Sequence, residues 1–196
     1  MKHYILFLLL ASTFWCCSND EDVVPSNNDR DMFDMPDVSS EEEMKVRRDF
    51  YDATSCYLIF NDSLYYRNIT TPSGSDPECV ILDLKYQVKG TSEDALLRYT
   101  YLKDMKDKEL AAKFAKEKIL PRLAPAFYPY TFFMVDQFYI SKASAWSSGY
   151  DPEVEQSAYA GYNASLVAYK HFYDMDEAAQ YAYSRSVIAI LMTKNY

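Results

Sequence analysis

Glycine is scarce in this chain, at four residues of 196, and histidine is scarcer, at two. Phosphate-cradling loops and dinucleotide-binding turns need several glycines in a short run, and neither G-x-x-x-x-G-K-[ST] nor G-x-G-x-x-G occurs. A G-x-S-x-G nucleophile elbow is also missing. His3 stands at the very start, so His171 is the one imidazole in the rest of the chain for acid–base, nucleophilic or metal chemistry. Two imidazoles a helical turn apart, the usual core of a helix-borne zinc site, are therefore excluded. The formal net charge is −9 and no basic stripe is present. That removes the electrostatic footprint of nucleic-acid binding. After Trp15 no apolar run approaches the roughly 18 residues that a membrane-spanning helix needs.

What the chain does have begins at its N-terminus. Lys2 and His3 precede Tyr4 to Trp15, YILFLLLASTFW, an apolar stretch too short to span a bilayer. It ends in Cys16-Cys17, followed at once by Ser18-Asn19-Asp20-Glu21-Asp22. A thiol straight after such a run is the diacylglycerol acceptor of a lipoprotein signal. Cys17 is the expected lipidation site, because Cys16 is a small residue suited to the position before the cut. The acidic stretch also starts directly after Cys17. The CCSNDED pattern resembles lipoproteins of the Bacteroidetes, in which serine and acidic residues beside the lipidated cysteine act as a surface-export signal. It implies an outer membrane lipoprotein, on the cell surface or the periplasmic side. Two or three acyl chains hold a protein durably, each buried CH₂ contributing about 0.8 kcal/mol.

Residues 1–16 thus read as a signal peptide, 17–38 as a flexible acidic tether without periodicity, and 39–196 as a single α+β domain. Processing leaves Cys56 and Cys79. Both a bridge, worth about 3 kcal/mol by chain entropy, and two free thiols fit an exported chain. The 19 tyrosines exceed what a small core needs; half-exposed rings suit sugar or peptide binding, while tyrosine standing in for phenylalanine in the core is the plainer explanation.

Along the domain, Ser39 with Glu42 or Ser40 with Glu43 has capping-box spacing ahead of a helix. Tyr57 to Phe60 is a short strand with which Ser63 to Arg67 is expected to pair, and Asn68 to Glu78 is turn-rich. Cys79 to Lys89 alternates apolar and polar residues as a half-buried strand. Thr91 to Asp94 is expected to open a helical region that continues, after a break, over Asp107 to Leu120. Thr131 to Ile140 reads as one central strand, Ser141 to Gln156 as a polar loop, and Tyr162 to Tyr169 as a further strand. Asp174 is the expected cap of a last helix, Met175 to about Met192. The fold class is α+β, a mixed sheet with helices packed against it.

Two acidic groups invite chemistry. His171 lies beside Asp174, Asp176 and Glu177, a set able to hold a divalent cation weakly, though capping and dipole complementation explain the acids as well. Asp151, Glu153 and Glu155 have the composition of a glycosidase pair and equally that of a solvated loop.

The succession FYDATSCYLIFND, KILPRLAP, FFMVDQF, AGYNASLVAY and SVIAILMTKNY resembles zinc-binding metallopeptidase-like lipoproteins of the Bacteroidetes, which accompany glycan-utilisation loci. The resemblance implies the N-terminal half of a zincin-like fold. It also places Arg185, Ser186 and Ala189 where that family's H-E-x-x-H helix carries His, Glu and His. No catalytic or metal-binding residue transfers and no cofactor is expected. The leading reading is a membrane-anchored, non-catalytic accessory protein of a glycan-uptake type system. It would bind a peptide, protein or glycan through an edge strand at Tyr162–Tyr169, with Tyr162 and Tyr169 facing the ligand. The alternatives are a zinc metallopeptidase relative using His171, and a glycan-binding module.

Overall fold

The computed structural model describes residues 33, 40–71, 74–85, 95–144 and 148–193. Cys17, the signal peptide and most of the tether lie outside them. Helix α1 (Glu41–Thr54) starts where the capping box predicts: the Ser40 hydroxyl accepts from the Glu43 N–H at 3.2 Å, and Glu41 to Glu43 complement the helix dipole. It stops at Ser55, whose N–H still reaches the Tyr51 carbonyl at 2.7 Å and whose left-handed backbone (φ 58°) then turns the chain out of the helix. Strand β1 (Tyr57–Ile59) follows directly.

Next comes a hairpin of β2 (Ser63–Thr71) and β3 (Gly74–Ile81). Two expectations fail here. Ser63 to Arg67 pairs with β3 and not with β1, and most of the expected loop at 68–78 is hairpin ladder. Polar residues fit a two-stranded ribbon when each strand satisfies the other's backbone. The alternation expected over Cys79 to Lys89 persists past the strand end, with Leu82 and Leu84 buried and Asp83 and Lys85 exposed. Its last residues, from Tyr86, lie outside the described set.

The expected helix after Thr91 is, from Ala95, a strand, β4 (Ala95–Thr100). Ala95 is buried and Leu97 and Tyr99 half-buried, while Leu96, Arg98 and Thr100 face out. That period of two, completed by pairing with β6, overrides the helix propensity of Ala and Leu. Helix α2 (Met105–Phe114) widens into a π-type turn (Ala115–Ile119) and then tightens into a 3₁₀ turn at Pro121. The expected central strand is real but divided. β5 (Thr131–Val135) and β6 (Gln137–Lys142) part at Asp136 and enter different sheets. β7 (Val154–Glu155), β8 (Ala158–Ala160) and β9 (Ser165–Ala168) precede α3 (Glu177–Leu191). The cap of α3 is Asp176, accepting from the Ala179 N–H at 2.8 Å. Asp174 instead ends a 3₁₀ turn.

The main sheet runs β1-β5-β9-β8, with β1, β5 and β9 parallel and β8 antiparallel at one edge. A second, antiparallel sheet runs β4-β6-β7. The class is therefore α+β, as the sequence indicates. Strand alternation divides the core in two. Leu58, Phe132, Met134 and Val167 meet Phe50, Phe114, Ile119, Val187 and Leu191 of the helices. Ile59, Phe133, Val135 and Leu166 meet Leu64, Leu82, Leu84 and Phe138 on the other face. β5 is buried along its whole length because both faces are covered. No helix among the described residues is long and apolar enough to cross a membrane.

Candidate functional site

The parallel strands begin at one end of the sheet, where the aromatic residues gather. Pro129 bars Tyr128 from helical angles, so Tyr128 is extended (φ −64°, ψ 127°) and carries the chain out of its 3₁₀ turn toward β5. The Tyr130 carbonyl accepts from the Tyr57 N–H at 2.9 Å, which sets the start of β1 against the start of β5. On the neighbouring connection, Gly161 lies so close to the Ala164 and Leu84 carbonyls that a Cβ would stand 2.4 and 3.0 Å from their oxygens. That close approach turns the chain between β8 and β9 and presents Tyr162 and Asn163. The result is an open cleft of about 470 Å³ lined by Thr54, Ser55, Cys56, Tyr128, Tyr130 and Tyr162 among others. Tyr130 and Tyr162 are 52% and 50% exposed, so each offers part of an aromatic side chain to solvent.

Sequence reasoning singled out Tyr162 but not Tyr128 or Tyr130, although the Tyr-Pro-Tyr triplet is a usable signal. Tyr169, its expected companion, is only 1% exposed and packs in the helix-side core near Phe114. The strand between them is not an edge: β9 lies between β5 and β8. A run of Ser, Leu, Val and Ala buried on both faces is the mark of an interior strand, and the exposed Tyr162 lies before it. Cys56 and Cys79 stand as separate thiols. Burial pushes the Cys56 thiol up, a hydrogen bond with Thr54 only partly offsetting this, so it is a poor nucleophile.

At the opposite, carboxyl end of β5 and β9 stands His171, half-exposed. Lys170 and His171 both have left-handed backbones (φ 50° and 48°), and the Lys170 N–H donates to the Asp136 carbonyl at 3.0 Å. This bend sets Nδ1 of His171 3.9 Å from Asp107 and Nε2 3.6 Å from Asp136. The acids expected around His171, at 174, 176 and 177, are replaced by two that are distant in sequence. The two carboxylates face opposite ring nitrogens and so do not converge on one point. Among the described residues no group of three His, Cys, Asp or Glu side chains is placed to hold a metal ion. Burial raises the neighbouring Tyr169, and raises Tyr173 to about 12, which keeps both as neutral phenols at ordinary pH. Of the other acids, Glu153 holds Arg98 through both carboxylate oxygens and Glu155 pairs with Lys170 at 2.8 Å. They serve as ion-pair partners of basic residues distant in sequence.

Comparison with protein-family models, with curated proteins and with solved structures yields no match.

Proposed function

We propose that this protein is an exported lipoprotein, anchored through Cys17, whose domain binds a neutral glycan without catalysis, as an accessory of a glycan-uptake type system. The tyrosine cleft carries this reading. Two half-exposed rings lining one cleft with the hydroxyls of Thr54 and Ser55 and the amide of Asn163 match a sugar's mixture of apolar C–H faces and hydroxyls. The buried position of β9 closes strand addition there, which favours face-on contact with rings over an extended peptide. A net charge of −9 also disfavours anionic ligands. The family resemblance supports a non-catalytic role. Arg185, Ser186 and Ala189, which stand in the places of its zinc ligands and base, are exposed on α3, and none of the three side chains is a typical zinc ligand.

Isothermal titration of the mature chain against a panel of neutral oligosaccharides tests the cleft. At least one glycan is expected to bind, and Tyr162→Ala and Tyr130→Ala should each weaken it about tenfold, in the range of a lost aromatic contact. Their melting temperatures should move little, because both rings are half in water. A panel without a ligand, or one bound equally well by both variants, sinks the glycan reading.

Anchoring is tested separately. Cys17→Ala is expected to move the protein from the detergent phase to the aqueous phase in Triton X-114 partitioning. Continued partitioning with detergent would place the anchor elsewhere.

A further inference from the structure

One residue of the acidic segment belongs to the folded unit, which begins at Met32 and so starts inside the expected tether. Phe33 is 5% exposed. Its ring lies 5.7 Å edge-on from Tyr130 and 6.1 Å from Tyr57, and its carbonyl accepts from Arg47 Nη2 at 2.5 Å. Tyr57 in turn stacks on Tyr51 at 4.6 Å and meets Tyr130 at 5.2 Å, so the aromatic wall has contacts of its own. Arg47 is likewise placed by the domain: its Nε donates to the Leu58 carbonyl at 2.8 Å, inside a buried stretch of α1 and β1. The seat that receives Phe33 therefore owes its shape to groups that bond to one another. Beside it a cavity of about 380 Å³ is lined by Arg47, Arg48, Tyr51 and Tyr57 among others.

The visiting segment has the opposite character. Phe33 is the only aromatic residue between Cys17 and Ser40, and Asp31, Asp34 and Asp37 surround it in sequence. One ring and one carbonyl thus meet an aromatic wall and Arg47, with Arg48 in the lining of the cavity beside them, and the sequence on either side of the ring carries the opposite charge. We propose that the Arg47–Tyr57–Tyr130 seat is a recognition site for an aromatic residue in an acidic peptide segment, and that Phe33 fills it in cis as a releasable latch. The seat reads the ring by edge and face contacts and the main chain by the Arg47 fork. Acidic flanks add attraction that salt weakens. This site is separate from glycan binding, although Tyr130 borders both.

Two measurements on the full mature chain test the latch. Chymotrypsin should cut after Phe33 at least tenfold more slowly in the protein than in a synthetic peptide of residues 28–39. Tyr130→Ala and Arg47→Met should each restore much of the peptide's rate at temperatures where melts show the variants folded. In parallel, the same peptide, fluorescently labelled, should bind Phe33→Ala protein at least tenfold more tightly than wild type, whose seat is filled. The binding should weaken with salt, and a peptide carrying alanine in place of Phe33 should not bind. Cleavage as fast as the free peptide overturns the latch, and so does protection that survives both substitutions. Equal peptide binding by wild type and Phe33→Ala, or none by either, overturns the recognition site. None of these readouts involves a glycan or the lipid anchor.

Discussion

Val187→Asp is expected to abolish the cooperative thermal transition of the mature chain, or to lower its midpoint by roughly 10 °C or more. Val187 is fully buried where α3 docks on the sheet, next to Leu191 at 1% exposure, in the cluster that holds Phe114 and Phe172. The helix is further pinned by Tyr183, whose hydroxyl donates to the Ala168 carbonyl of β9 at 2.7 Å, and by Ser184, which accepts from Arg122 at 2.9 Å. A carboxylate at position 187 would stand in an apolar cluster and must lose its hydration. Unpaired buried charge falls among the substitutions that cost about 4 kcal/mol or more. For a domain of this size each kcal/mol shifts the midpoint by about 2–4 °C. Arg185→Ala, on the exposed face of the same helix, should change stability by under about 1 kcal/mol. Calorimetric melts of the two variants side by side decide the matter. A Val187→Asp protein that melts like wild type would show that α3 does not dock here.

The second large effect concerns a single hydrogen. Gly161→Ala places a Cβ 2.4 Å from the Ala164 carbonyl oxygen and 3.0 Å from that of Leu84. Both obstacles are backbone, so neither can swing aside as a long side chain would. The turn into β9 must open, or the Leu84 segment must retreat from the buried cluster it shares with Phe133 and Leu166. Overpacking of this kind costs about 1–3 kcal/mol, a fall of roughly 3–10 °C in melting midpoint. Tyr162 follows Gly161 directly, so the cleft should suffer with the fold. Asn163→Ala, in the same connection but half-exposed, should leave the midpoint nearly unchanged. Chemical denaturation of both variants gives the comparison, and equal midpoints for Gly161→Ala and wild type would mean that the turn relaxes without cost.

Much of the local structure was legible in the residues. Ser40 and Glu43 announce α1, and the apolar stripe that starts with Ala111 and Phe114 of α2 and runs on through Ala115 and Ile119 of the π turn lies in the core, with Leu110 half-buried against it. On α3 only some of the apolar residues are buried. Val187 and Leu191 point inward, but Tyr181 is 57% exposed and Ala182 is also exposed. An apolar residue on a helix reports only that it can be buried, and the angular position of the neighbouring layer decides whether it is. The misreadings over 63–78 and 95–100 share a cause: strand pairing is a long-range event. β4 is a strand because β6 lies beside it, and nothing within Ala95 to Thr100 names that partner.

The candidate site divides in the same way. Tyr162 stands out from its own neighbourhood, whereas Tyr130, Thr54 and Cys56 join it only because β1, β5 and the β8–β9 connection start at one end of the sheet. Likewise Asp107 and Asp136 come to His171 from α2 and from the break between β5 and β6, while the acids next to it in sequence serve the start of α3.

The sequence by itself determined the α+β class, the start of α1 and the buried character of Thr131 to Val135. It also carries the expectation of export and lipidation at Cys17. These are properties of composition, of periodicity and of side chains acting on their own backbone, all expressed within a few residues. Only the tertiary structure decided that the long apolar strand divides at Asp136, that β9 is interior, that Tyr169 is buried while Tyr162 is not, and that Phe33 leaves an acidic stretch to sit against Arg47. Each depends on which distant strand supplies a hydrogen-bond partner or which layer covers a face, and those pairings are properties of the whole packed chain.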